Sequence, residues 1–69
     1  MTLTEEQEKI IENLFRKEHH VPSGNYLKIH VSKAGNIIIT QIREEHDWEQ
    51  DICTGMFNMG TKYLKKIGL

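Results

Sequence analysis

The chain has 69 residues, with nine Lys+Arg against ten Asp+Glu and a formal net charge of −1. One small domain, residues 1–69, accounts for that length. The charge balance lacks the basic surplus of a dedicated DNA-binding domain. No apolar run approaches the roughly 18 residues of a membrane span, and the acidic start Met1-Thr2-Leu3-Thr4-Glu5-Glu6 is unlike a signal peptide. A lone cysteine, Cys53, excludes an internal disulfide framework and suits a reducing, cytoplasmic setting without a membrane partner.

The first segment, Thr4 to about Glu18, reads as a helix. Thr4 and Gln7 form a capping-box pair, and Glu5, Glu6 and Glu8 sit where the helix dipole favours negative charge. Ile10, Ile11, Leu14 and Phe15 recur at helical spacing as one apolar stripe. Val21-Pro22-Ser23-Gly24-Asn25 ends it, since proline and glycine cannot continue the ladder.

A hairpin follows. Tyr26 to Ser32 alternates, with Leu27, Ile29 and Val31 on one face and Tyr26, Lys28 and His30 on the other. Asn36 to Arg43 is the second strand, joined through Lys33-Ala34-Gly35 as a type I turn with glycine in the left-handed region. That turn pairs Ser32 with Asn36, Val31 with Ile37 and Ile29 with Ile39. Ile38, Thr40 and Ile42 then share a face with Tyr26, Lys28 and His30. The second strand is therefore apolar on both faces.

The last segment, about Asp47 to Ile67, reads as a helix. Asp47 and Gln50 are a second cap pair. Trp48, Ile52, Met56, Met59, Tyr63 and Ile67 recur at steps of three and four, flanked by Cys53, Phe57 and Leu64. Acids crowd its start and Lys62, Lys65 and Lys66 its end, as the dipole favours. Gly55 and Gly60 weaken it, and Asn58-Met59-Gly60-Thr61 is a candidate break with Thr61 capping a short final helix. The predicted fold is α+β in the order α-β-β-α, an antiparallel hairpin packed against two helices.

Size adds a constraint. A chain of about 60 residues buries only about 60% of its unfolded surface, and such a core rarely supplies more than about 3–5 kcal/mol. Without disulfides, association is the natural remedy. The spacing of His19, His20, His30, His46 and Cys53 matches no zinc pattern, so no metal or cofactor is expected. Cys53 reads as a small core residue.

A catalytic reading would use His30 as general base beside Lys28 and Tyr26. The tail Gly60-Thr61-Lys62-Tyr63-Leu64-Lys65-Lys66-Ile67-Gly68 resembles the closing helix of messenger-RNA-cleaving toxins with a double-stranded-RNA-binding-like fold. The resemblance covers about nine residues. The glycine-serine-histidine sequence of those toxins is absent and no third strand is read here, so their activity is not carried over. The cations Arg16, Lys17, Lys28, Lys33, Lys62, Lys65 and Lys66 are divided among separate places, which argues against a phosphate-binding comb. The acids from Glu44 to Asp51 read as a solvated helix start.

The function expected from the sequence is a small non-enzymatic protein-interaction module, phage-like in size. It would be a homodimer acting as regulator, inhibitor or adaptor. Its partner is a second copy or another protein, met through Tyr26, His30, Ile38, Thr40, Ile42, Trp48, Met56 and Met59. The mate would join at the second hairpin face, or at the edge of the second strand to complete a four-stranded sheet. The alternative is a small nucleic-acid-binding protein or ribonuclease-type toxin using His30.

Overall fold

The computed structural model of the chain describes residues 2–44 and 51–69. Its elements run α1 (Glu5–Glu18), β1 (Asn25–Val31), β2 (Ile37–Arg43), β3 (Ile52–Gly60) and a terminal 3-10 turn (Leu64–Ile67). The strands form one antiparallel sheet in the order β1-β2-β3, giving a small α+β domain with one helix on a three-stranded sheet.

The helix begins at the anticipated place. Thr4 Oγ1 accepts from the Gln7 N–H at 3.1 Å, and Gln7 Oε1 accepts from the Thr4 N–H at 3.0 Å, so both halves of the capping box are present. His19 caps the other end, its N–H donating to Phe15 O at 2.8 Å. The hairpin also follows its turn chemistry. Gly35 stands at φ +85°, its N–H donates to Ser32 O, and the Ser32 N–H donates to Asn36 O at 2.9 Å. Val31 faces Ile37 and Ile29 faces Ile39 in the resulting register.

The C-terminal segment departs from the sequence reading. Residues 52–60 are strand, and the only helical piece after them is the Leu64–Ile67 turn. The predicted two-helix α-β-β-α order is thus corrected to α-β-β-β with a 3-10 end. The physical reason lies on β2, whose outer edge offers backbone groups along Ile37–Arg43 and is filled by pairing with β3. Glycines at 55 and 60, each costing a helix about 1 kcal/mol, tilt the same residues away from the competing helix. The anticipated break near Asn58–Thr61 is found, with Gly60 at φ +58° and its N–H donating to Asn58 Oδ1. Thr61 caps no helix, because the 3-10 turn starts from Tyr63 without a side-chain cap. The Asp47–Gln50 cap pair lies outside the described residues.

The core sits between α1 and one sheet face. Leu3, Ile11, Phe15, Ile37, Ile39, Tyr63 and Ile67 form a single buried cluster. Leu27, Ile29, Val31, Phe57 and Met59 pack around it. Phe15 and Phe57 meet with ring centroids 5.3 Å apart, and His19 stacks on Phe15 at 4.5 Å. The 3-10 end is tied to α1 twice. Gln7 Nε2 donates to Ile67 O at 3.3 Å, and Glu18 holds both Lys62 and the Tyr63 hydroxyl. Hydrogen bonds from Lys62 and then Tyr63 hold the Glu18 carboxyl below its ordinary value. Burial, followed by the bond to Glu18, pushes Tyr63 up to about 12. No helix among the described residues is long and apolar enough to cross a membrane.

Candidate functional site

Period-two alternation places one side of each strand under α1 and the other side away from it. The side away from α1 forms a three-by-three grid. One rung holds Tyr26, Ile42 and Cys53, the next Lys28, Thr40 and Met56, and the last His30, Ile38 and Asn58. Between two register shifts, at the partners of Ile37/Ile38 and of Gln41/Ile42, regular alternation keeps Met56 and Asn58 on this face while Phe57 turns inward with Met59, and the second shift brings Cys53 onto the open face opposite Ile42.

Six of the eight residues proposed from sequence as a partner surface are brought together here: Tyr26, His30, Ile38, Thr40, Ile42 and Met56. Met59 is not among them. It packs against the buried cluster, because it lies an odd number of residues from Met56 and so shares the inward face with Phe57. Trp48 lies outside the described residues. Ile42 is on the grid yet only 8% exposed, so it supports the surface and adds little to it. Cys53, read as a core residue, is exposed on the edge strand, with its Sγ 3.6 Å from Gly55 O.

Met56 dominates the accessible apolar area, at 68% exposure, beside half-buried Ile38. The β1 column is polar, with Lys28 and His30 both exposed. Tyr26 is anchored by donating its hydroxyl to Asp51 Oδ2 at 2.9 Å, and this bond, reinforced by desolvation, raises its pKa. Among the described residues no hydrogen bond or ion pair orients His30. No group of three or more His, Cys, Asp or Glu that could hold a metal occurs among them either. The face can therefore offer van der Waals contact through Met56 and Ile38, ringed by donors from Lys28, His30, Thr40 and Asn58.

Sequence reasoning missed Asn58, Cys53 and the Tyr26–Asp51 bond. The signal was the alternation of Met56 and Asn58 against Phe57 and Met59, which a helical count of the same residues conceals.

No family model, no curated protein and no solved structure matches the chain.

Proposed function

We propose that the chain is a non-enzymatic protein-interaction module that works through the open face of its sheet, with a second copy of itself as partner. The carrying observation is Met56, 68% exposed at the outer end of the middle rung, next to Ile38 on a face that no helix covers among the described residues. A role as regulator, inhibitor or adaptor would follow from such a surface, since its chemistry is contact.

Sedimentation velocity at micromolar concentration tests this directly. The wild type is expected to be a dimer, and Ile38→Asp or Met56→Asp a folded monomer. A wild-type monomer removes the proposal.

Exposed His30 beside exposed Lys28 favours a second reading, RNA contact or cleavage through the β1 column. His30→Ala separates the two. Loss of a biological effect with His30→Ala, and its retention in Ile38→Asp, would select the RNA reading.

A further inference from the structure

We infer that the groove between α1 and β1 binds an extended, lysine- or arginine-bearing segment of another protein as an additional antiparallel strand on β1. This surface is distinct from the open face.

Among the described residues strand β1 is an edge of the sheet, bonded on one side to β2. The Ser32 N–H to Asn36 O bond marks Ser32/Asn36 as a hydrogen-bonded pair. By antiparallel alternation, His30/Ile38 and Lys28/Thr40 are bonded pairs as well. The intervening residues Leu27, Ile29 and Val31 therefore aim their N–H and C=O groups away from β2. Such a row is a template for strand addition.

The same stretch has a shaped and charged boundary. Leu27 and Ile29 floor a shallow groove rimmed by Glu5, Glu8, Lys9 and Glu12 of α1. Glu12 is paired with Arg16 at 3.4 Å, whereas Glu5 and Glu8 hold no ion pair among the described residues. The rim is net negative. In an antiparallel pairing, partner residues bonded to Leu27 and Ile29 share their face. A lysine there lays its methylene stem on Leu27 or Ile29 and carries its ammonium to Glu5 or Glu8. Alternate partner residues fall on the other side, near Lys28 and His30, where a cation is disfavoured. A second copy joined at β1 would set two acidic rims against each other, so the occupant is a different, basic chain.

The test uses the full chain and capped six-residue peptides, followed by shifts of the Leu27, Ile29 and Val31 amide resonances. An alternating lysine–threonine peptide is expected to bind, and its glutamate–threonine counterpart not to. Methylating the lysine amides, which keeps every charge, should weaken binding about tenfold or more. Methylating the threonine amides should change it less than about twofold, because those groups point outward. Glu5→Gln with Glu8→Gln should weaken binding by about threefold to tenfold. Should that variant not fold, the methylation comparison on the wild type still decides. Ile38→Asp should leave binding unchanged, separating this site from the open face. Any of four results overturns the inference: equal binding after lysine-amide methylation, shifts centred on β3 or the open face, β1 shifts that grow with protein concentration alone, or no binding at millimolar peptide.

Discussion

Along β2, successive isoleucines meet opposite surroundings. Ile37 and Ile39 are fully buried under α1, while Ile38 between them lies half-buried among His30 and Asn58. The residue type is constant, so the difference belongs to the layer that covers each face. The covered face has Phe15, Ile11, Tyr63 and Ile67 laid across it. Among the described residues, the open face has side chains from the sheet and Tyr26 anchored to Asp51. On the second side of this strand Ile42 is buried while Ile38 stays half-buried, and composition alone could not say which side that would be.

Substitutions of neighbouring isoleucines sharpen the contrast most. Ile39→Asp buries an unpaired charge in a core that supplies no more than about 3–5 kcal/mol, and should leave the chain unfolded by circular dichroism. Ile38→Asp, one position earlier, should fold and lose only self-association. If both unfold, the two faces are equivalent and the comparison fails.

The next effect concerns what holds the two strands in register. Gly35→Ala places a β-carbon on a residue at φ +85°, at a cost of about 1–2 kcal/mol in urea unfolding. The register itself should survive, since the isoleucine faces define it.

A smaller effect tests the tie between α1 and the 3-10 end. The Tyr63 pKa rises from its ordinary 10.0 to about 12 in the fold, so the fold favours the protonated phenol. That stabilisation is complete below pH 10 and is lost as pH climbs through about 12. Tyr63→Phe should remove this alkaline step from a pH titration of stability, at a cost of about 1 kcal/mol for the bond to Glu18. The Glu18 carboxyl moves the other way. Lowered from its ordinary 4.5, it stabilises the fold above that value, and the contribution disappears as pH falls through the lowered one.

The smallest effect is on the open face. Met56→Lys should change unfolding free energy by no more than about 0.5 kcal/mol, because the side chain is already in solvent. Its consequence should appear in oligomeric state alone.

How much of this could be read in advance depended on whether local chemistry and tertiary pairing agreed. Thr4 and Gln7 announce the helix start, and Lys33-Ala34-Gly35 announces the turn, so α1 and the β1–β2 register follow from neighbours in the chain. Six of the grid residues, Tyr26, Lys28, His30, Ile38, Thr40 and Ile42, follow from that register too. Strand β3 did not follow. Ile52, Met56, Met59 and Tyr63 fall at steps of three and four, as a helix would require, and the register shift between Cys53 and Gly55 leaves only the short run from Met56 to Met59 to show the alternation of a strand. Gly55 hides the pattern further. It occupies an inward position with no side chain to count, where an added β-carbon would lie 3.1 Å from the Phe57 ring. The groove along β1 was also hidden, since Glu5 and Glu8 are explained by the helix dipole before any strand is placed beside them.

The bond from Gln7 to Ile67 has a topological consequence. Leu3 and Ile67 belong to one buried cluster, so the beginning and end of the folded unit leave from the same place. A short glycine-rich bridge between them would make a ring, and cutting that ring within the exposed Lys33–Ala34 tip would give a circular permutant that keeps every strand pairing. The same proximity makes the unit suited to insertion into a loop of another protein, with both joints on one side of the domain.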